Sequence, residues 1–204
     1  MPSHFVRLID FIRYSSRLLP VWSILVAFCI VPSPSLGETI SGIYVLSPAN
    51  IDTGFSVRVL GRGPVTGQFT RVTGKMILDQ NRPDKSQVRV KVDLRTVQTD
   101  NAKVTGFLKS AAMFDVANHP VANFQSTRVR ITGKKTAEIE GVLSLRGQQK
   151  RTKLRVRVIG NNAKGKVVFE VSGGFFRSLY GMDVGLPVYA DKVNLKITGI
   201  GQRR

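Results

Sequence analysis

The stretch VRVKVDL, residues 88–94, decides the fold class of this chain. Apolar residues occupy every second position from Val88 to Leu94, and charged residues occupy the positions between them. Because successive side chains of a β-strand point to opposite faces, this period of two predicts a strand with one dry face and one wet face.

The same alternation recurs along the chain. It is clear at residues 55–59, 153–158, 167–171 and 193–197, and weaker at 43–46, 67–79, 123–132 and 138–145. Turn-forming Gly, Asn and Pro separate these segments, at 61–64, 81–84, 133–135, 147–149 and 160–162. About eight or nine strands joined by short turns predict an all-β fold, an antiparallel meander that closes into a barrel and so removes its exposed edges.

One segment has the period of a helix instead. Thr99-Asp100 are suitable capping residues, and apolar side chains recur at helical spacing between Val104 and Ala111. The pattern predicts one short amphipathic helix that ends near Met113. The chain then passes through an exposed turn at Asn118-His119-Pro120 and re-enters the sheet.

The apolar face of the barrel is expected to point inward. In an outer-membrane barrel it would face lipid, and the cations at 89–91 and 155–157 would lie in the lumen. An eight-stranded barrel has little more room than its own side chains fill, and each unpaired ion there would cost on the order of several kcal/mol. Most of the strands are also shorter than the roughly 9–11 residues of a membrane-crossing strand. The pattern therefore predicts a water-soluble barrel.

The interior of such a barrel is either filled by its own side chains or holds one apolar ligand. The candidate lining residues are the inward-facing apolar residues of the strands: Phe55, Val57, Val59, Phe69, Val90, Val92, Phe169, Val171, Phe175 and Leu195. The alternation alone leaves a solid core and a lipid carrier both open.

Residues 1–37 have the organisation of a secretory signal peptide. A head containing arginines at 7–17 precedes the apolar run Val21–Val31, and prolines and small residues follow up to Gly37. The run is shorter than the roughly 20 residues of a membrane-spanning helix. We expect cleavage after Gly37, export to the periplasm, and one domain over residues 38–204. An uncleaved membrane anchor is the alternative, because the basic head is long.

The chain is strongly basic, with a formal net charge of +18. Loss of three arginines and one aspartate with the leader would leave about +16. Such a surface attracts anionic polymers and anionic membrane surfaces, whereas an exported protein is not expected to bind nucleic acid. Cys29, the only cysteine, lies in the leader, so the exported domain has no disulfide. Monomer and homodimer both remain open.

Residues suited to catalysis are few. His119 is the only histidine of residues 38–204, and its Asn-His-Pro turn favours an ordinary solvent-facing side chain. Glu138 and Glu140 lie two apart on one strand and are expected to pair with neighbouring cations. Because no cluster of His, Cys and carboxylates is present, we expect neither an enzyme nor a metal site, and no cofactor other than a bound lipid.

Short phrases of the sequence follow one another in a characteristic order. They are Phe55-Ser56-Val57-Arg58, Val65-Thr66-Gly67-Gln68-Phe69, Leu108-Lys109-Ser110, Met113-Phe114-Asp115-Val116, His119-Pro120, Phe124-Gln125-Ser126-Thr127, 141–147 with Lys150, 177–182 and 191–195. Together they resemble the YceI-like family of bacterial polyisoprenoid-binding proteins. The resemblance implies a lipocalin-like barrel of about eight strands with a helix beside it, in the periplasm. It also implies an elongated apolar tunnel for an isoprenoid chain such as the tail of a quinone. Five further residues complete the predicted lining: Phe107, Leu108, Leu143, Val156 and Tyr180.

The chain departs from the family phrases where the family has histidines. Residues 47–51 read Ser-Pro-Ala-Asn-Ile in place of aspartate-proline-x-histidine-serine, and Phe107 replaces the histidine before leucine-basic-serine. Ala112-Met113 replaces an aspartate-phenylalanine pair. These changes make the helix-side opening more apolar and favour a protein that holds only a lipid tail, or a plugged barrel.

Two functional hypotheses follow. The first is a non-catalytic periplasmic carrier or buffer that holds an isoprenoid, quinone-like or polyprenyl, in the barrel. The alternative is a solid basic barrel that binds anionic envelope lipid or polysaccharide through its surface.

Overall fold

A computed structural model describes residues 39–162 and 165–204 of the chain. The predicted leader, residues 1–37, and its cleavage after Gly37 lie outside the described residues. Among the helices of the described ranges, none is both long and apolar enough to cross a membrane.

The described residues form eleven strands and one α-helix. The strands are β1 Gly42–Leu46, β2 Ile51–Val59, β3 Arg62–Phe69, β4 Val72–Leu78, β5 Gln87–Asp93, β6 Val97–Gln98, β7 Val121–Gly133, β8 Thr136–Leu145, β9 Gln148–Asn162, β10 Lys166–Phe176 and β11 Tyr189–Arg203. The helix α1 spans Ala102–Lys109, and short 3-10 helices lie at Pro48–Asn50, Pro83–Lys85, Leu94–Thr96 and Arg177–Tyr180.

All of the strands pair antiparallel, and they close into a barrel of eight strands. There are eleven segments because three of the eight barrel strands are broken in the middle. The two halves of these broken strands are β1 with β2, β3 with β4, and β5 with β6. The last strand, β11, closes the ring against both halves of the first, pairing Leu195 with Phe55 of β2 and Tyr44 of β1 with Arg203. The prediction of a closed antiparallel barrel with one helix is confirmed.

The barrel has two distinct ends. We call the helix end the one that carries α1 and the 3-10 helix Arg177–Tyr180, and the hairpin end the one that carries the β7–β8 turn at Lys134-Lys135. Buried apolar residues form one cluster toward each end: Phe69, Leu108 and Phe114 belong to the first, and Met76 and Phe169 to the second.

The side-chain directions agree with the predicted alternation. Arg89, Lys91, Arg155 and Arg157 are all exposed, so the basic face points outward. Glu138 and Glu140 pair with cations as expected, at 2.9 Å from Arg130 and 2.9 Å from Lys153 respectively.

The helix is shorter than predicted, and its cap is a different residue. Asn101, rather than Thr99-Asp100, caps it, because its Oδ1 accepts hydrogen bonds from the backbone N–H groups of Lys103 and Val104 at 2.9 and 3.3 Å. The Thr99 hydroxyl bonds instead to the hydroxyl of Thr105 at 2.9 Å. The helix ends at Lys109, before the predicted Met113.

The predicted turn at 61–64 is also shorter in the structure. Gly61, with φ of +71°, makes the reversal, and Pro64 already lies in β3. Proline has no N–H group to donate to a neighbouring strand. On the side of β3 that faces away from β2 no hydrogen bond is lost at Pro64, because β6 pairs with β3 only at Gln68 and Phe69 among the described residues.

Asp93 stabilises the break between β5 and β6. Its carboxylate is buried and accepts hydrogen bonds from the backbone N–H and the guanidinium of Arg95, at 3.1 and 2.8 Å, and it lies 3.4 Å from Arg71. The bonds from the Arg95 side chain, aided by the charge of Arg71, lower the pKa of Asp93 from 3.8 to about 2.

The stabilisation from Asp93 should therefore disappear in acid. Because its folded-state pKa is depressed, the contribution is fully present above the ordinary value and is lost as the pH falls toward 2. We expect Asp93→Asn to lower the free energy of unfolding by about 1–2 kcal/mol near neutral pH, and by much less near the lowered pKa. Urea unfolding of both proteins across this range measures the difference. A constant difference would contradict the assignment.

Candidate functional site

The barrel is hollow, with a cavity in each half. The hairpin-end cavity has a volume of about 180 Å³, and the helix-end cavity has a volume of about 140 Å³. The residues that line both are Thr53, Val90, Val92, Phe124, Leu154 and Ile197. The two cavities therefore adjoin each other along the barrel interior. We call them together the channel, and we call the level of these shared residues the waist.

The walls of the channel are almost entirely apolar. Several inward-facing side chains, Val90, Val156 and Leu195 among them, are only partly buried although they point into the barrel. They line the cavities, so part of their accessible surface faces the channel rather than the outside.

Paired phenylalanines and glycines keep the channel open. The ring of Phe169 lies against Gly199 on the neighbouring strand, where an added Cβ would stand 2.6 Å from the ring. Phe55 covers Gly67 in the same way, with 2.5 Å to such a Cβ. Because glycine has no side chain, each ring can lie along the wall instead of projecting into the lumen.

Packed side chains close the helix end. Leu108, Met113 and Phe114 are buried and line the helix-end cavity from outside the strands. Phe69 links this plug to the barrel wall, with its ring centroid 5.5 Å from that of Phe55 and 5.7 Å from that of Phe114. The end of α1 and the residues that follow it thus form the lid of this end.

The hairpin end has a polar rim. Asp79, Lys134 and Lys135 line the hairpin-end cavity but not the helix-end cavity. They lie in the connection after β4 and in the β7–β8 turn, so these three charged residues are at the mouth of the hairpin-end cavity.

Arg177 stabilises the segment that borders the helix end. It is 2% exposed, and its guanidinium donates to the carbonyl oxygens of Met182, Val184, Tyr189 and Ala190. Burial lowers the pKa of Arg177. The next residue, Ser178, is held in place by the carboxylate of Asp191. This carboxylate accepts a hydrogen bond of 2.8 Å from the backbone N–H of Ser178 and one of 2.7 Å from its hydroxyl.

Most of the predicted lining residues do face the channel. Those in the helix-end cavity are Phe55, Val57, Phe69, Leu108, Leu143, Phe175 and Leu195. Those in the hairpin-end cavity are Val156, Phe169 and Val171, and Val90 and Val92 lie at the waist. Their binding of a ligand remains a prediction.

Three predicted lining residues lie elsewhere. Val59 is beyond a bulge at the tip of the β2–β3 hairpin. Phe107 is on the outer side of α1 and is 45% exposed, in a surface groove beside the helix. Tyr180 is buried behind the wall, against Phe175, and its hydroxyl donates a hydrogen bond to the carbonyl of Leu143 at 3.4 Å. The alternation could not show these positions, because each lies at the end of a strand or outside one.

Thr53, Phe124, Leu154 and Ile197 also line the waist but were not among the predicted site residues. The period of two contained the signal for Leu154 and Ile197, which continue the predicted strands. Thr53 gave no such signal, because a threonine on an apolar face is unremarkable in sequence.

The remaining candidate residue for chemistry, His119, lies outside the channel. His119 is half-buried rather than solvent-facing, since its ring lies over Gly147 in the β8–β9 turn. Within the described parts of the chain, no group of three or more His, Cys, Asp or Glu residues is placed to hold a metal ion.

A closed antiparallel barrel around an apolar channel places the chain among the lipocalin-like β-barrel proteins. The family model of the YceI-like domain matches residues 44–199, and the chain therefore belongs to the YceI-like family.

Curated relatives agree with this assignment. The UPF0312 protein of Azotobacter vinelandii is 32% identical over 126 residues, which are 61% of this chain and 66% of that protein. The UPF0312 protein of Ectopseudomonas mendocina is 34% identical over 106 residues, which are 52% and 56% of the two chains. The match to these two relatives thus spans less than two thirds of their length.

Solved structures share the fold. BcnA of Burkholderia cenocepacia has a TM-score of 0.70 at 17% identity, covering 76% of this chain and 98% of that chain. A polyisoprenoid-binding domain from Saccharophagus degradans, implicated in plant cell wall breakdown, has a TM-score of 0.62 at 14% identity, covering 80% and 99%. At these identities the similarity establishes the fold.

Proposed function

We propose that this protein binds an isoprenoid lipid in its channel and acts as a non-catalytic carrier or buffer of that lipid. The observation that carries the proposal is the apolar channel, with cavities of about 180 and 140 Å³ that adjoin at the waist. The two volumes together reach the lower end of the roughly 300–1,000 Å³ that is usual for ligand pockets. The polyisoprenoid-binding domain of Saccharophagus degradans, which has the same fold, supports the choice of ligand class.

The energetics favour a chain-like ligand. Each buried methylene contributes about 0.8 kcal/mol, so a few isoprene units offset the cost of association. In this proposal a linear isoprenoid extends from one cavity into the other past Val90, Val92 and Phe124 of the waist. The proposal assigns no reaction to the site, since holding a lipid requires shape and apolar surface only.

The proposed location is the periplasm. It rests on the signal-peptide organisation of residues 1–37, which would be removed after Gly37. A lipid buffer in that compartment would shield isoprenoid tails from water between membranes.

The direct test is native mass spectrometry of residues 38–204 purified from a bacterial periplasm, followed by organic extraction. A stoichiometric apolar adduct that extracts as an isoprenoid is the expected result, and the same spectrum gives the oligomeric state. A protein that stays free of ligand after incubation with a prenylated quinone would overturn the proposal.

A second candidate function, binding of an anionic surface, is favoured by one strand. Arg151, Lys153, Arg155 and Arg157 of β9 all point outward. Lys153 and Arg157 pair with glutamates, whereas Arg151 and Arg155 form no ion pair within the described part of the chain. These two arginines border an outer groove of about 460 Å³ that also contains Lys192, Phe176 and Leu179.

This candidate predicts a localised effect of charge reversal. The double substitution Arg151→Glu with Arg155→Glu should weaken binding to phosphatidylglycerol vesicles by at least about tenfold, since each basic residue near such a surface contributes about 1 kcal/mol. The matched control is Arg89→Glu with Lys91→Glu, which changes the net charge equally on β5. Co-sedimentation at low and high salt measures both, because exposed charges are screened. Equal losses in the two variants would contradict a specific role of the groove.

A further inference from the structure

Large apolar side chains are exposed to water in one cluster at the helix end. Among residues 39–162 and 165–204, twelve large apolar side chains are exposed, and half of them belong to this cluster. We call the cluster the apolar collar; its members are Leu60, Phe107, Val184, Leu186, Val188 and Tyr189. Single exposed apolar residues are ordinary, whereas a cluster of them marks a surface that meets a partner.

The collar residues come from three segments that lie together. The backbone N–H of Leu60, at the tip of the β2–β3 hairpin, donates to the carbonyl of Val188 at 2.9 Å. Phe107 of α1 lines the surface groove beside the helix, of about 370 Å³, together with Val184 and Tyr189. The hairpin tip, the helix and the connection between β10 and β11 thus form one surface.

The backbone of this connection is fixed from inside. Arg177 donates to the carbonyls of Val184 and Tyr189, and the N–H of Tyr189 donates to the carbonyl of Gly185 at 2.9 Å. Turning the apolar side chains inward would break these bonds. The collar therefore stays exposed although burial of its side chains would be favourable.

Cations surround the collar. Arg58 and Arg62 flank Leu60 in the hairpin, and Lys103 lines the groove with Phe107. These three cations are exposed and form no ion pair within the described part of the chain.

The same connection continues the apolar surface into the outer groove on β9. Phe176 and Leu179 are each about half exposed and line that groove with the cations Arg151, Arg155 and Lys192. The carboxylates nearest to the collar in sequence are Asp183 and Asp100. Cations therefore outnumber carboxylates around the exposed apolar residues.

We propose that the apolar collar is a membrane-docking surface. Its side chains enter the headgroup region of a bilayer that contains anionic phospholipid, and the surrounding cations bind the lipid phosphates. Apolar side chains ringed by cations match the two layers of such a bilayer, an apolar interior beneath an anionic surface. The inference rests on the proposed function and deepens it, because it identifies the surface through which the carrier meets the membrane.

The position of the collar suits a lipid carrier. Leu108 and Met113 line both the groove beside α1 and the helix-end cavity. Docking would place these two side chains between the bilayer and the cavity. Methionine in particular adapts readily to a changed packing, so this part of the wall is suited to admit a lipid chain.

The first test places a tryptophan in the collar. Because Trp22 of the predicted leader is the only tryptophan of the chain, Val188→Trp gives residues 38–204 a single reporter. Vesicles of phosphatidylethanolamine and phosphatidylglycerol with brominated acyl chains should quench its fluorescence by about half or more, since the ring enters the acyl boundary. The matched control is Ile77→Trp, at an exposed position of β4, which should not be quenched.

The second test removes apolar surface without changing the net charge. Leu60→Ser with Val188→Ser should lower partitioning into the same vesicles by about tenfold, because two side chains no longer leave water. Ile43→Ser with Ile77→Ser is the control, since these residues are exposed and pair across β1 and β4. None of the four residues lines a cavity, so both variants should retain a prenylated quinone loaded from detergent, as measured by native mass spectrometry.

Each outcome supports or overturns the docking surface. Equal quenching at the two tryptophan positions, or equal losses in the two serine variants, would overturn it. So would an unsubstituted protein that does not bind vesicles; if that protein still retains lipid, the proposed function stands. If the collar variant loses a dimer and binds vesicles normally, the collar is instead a contact between two copies. Vesicle binding by a protein that retains no lipid would support docking and contradict the proposed function.

Discussion

Gly199→Val is expected to abolish lipid retention while the barrel still folds. An added Cβ at residue 199 would stand 2.6 Å from the Phe169 ring, and its three nearest neighbours would all be ring atoms of Phe169. The ring must therefore leave the wall, and the space open to it is the hairpin-end cavity. A phenyl ring fills much of a cavity of about 180 Å³ and blocks the path of a chain.

The stability of the Gly199→Val protein should change little. Overpacking costs about 1–3 kcal/mol, but valine favours strands and the displaced ring enters an empty space. Circular dichroism and thermal unfolding check the fold, and native mass spectrometry checks the lipid. Gly160→Val is the matched control, because a Cβ at Gly160 would have no neighbour within 4 Å. Full lipid retention by folded Gly199→Val would show that the ring does not control the channel.

Arg177→Met should cause the largest loss of stability. The substitution keeps an apolar stem but removes every donor to the carbonyls of Met182, Val184, Tyr189 and Ala190. Hydrogen bonds from a charged group contribute about 1.5–3 kcal/mol each, and part of this loss is recovered as the segment reaches water. We expect the free energy of unfolding to fall by about 4 kcal/mol and the melting temperature by about 10 °C.

Two further variants make the Arg177 result interpretable. Arg177→Lys retains the charge but not the planar fork of donors, so it should recover only a small part of the loss. Arg155→Met removes an exposed arginine and should change the melting temperature by less than about 2 °C. If Arg177→Met were no more damaging than Arg155→Met, the carbonyl contacts would not stabilise the segment.

The sequence predicted the barrel because its main signal is local. In β5, Val90 and Lys91 show by their alternation which side chain points inward and which points outward, and the structure agrees. The helix was predictable for the same reason, but its boundary was not. Thr99 and Asn101 are both good caps, and tertiary placement decided between them.

The state of the interior was not predictable, because it depends on contacts between distant residues. Phe169 and Gly199 are thirty positions apart, and only the register of β10 against β11 brings the ring onto the glycine. The unpaired hydroxyl of Thr53 likewise emerges only when every neighbour has been placed. Sequence pattern thus gave the lining residues as a set and could not show the void between them.

The three broken barrel strands divide the wall into two sections that can vary independently. Segments β1 and β4 contribute Leu46 and Met76 to the hairpin-end cavity alone, and β3 contributes Phe69 to the helix-end cavity alone. Substitutions in one section can lengthen or narrow a single chamber and leave the residues of the waist unchanged. The fold therefore lets one chamber change its size and shape while the other chamber keeps its own, so related barrels can differ at one end and remain alike at the other.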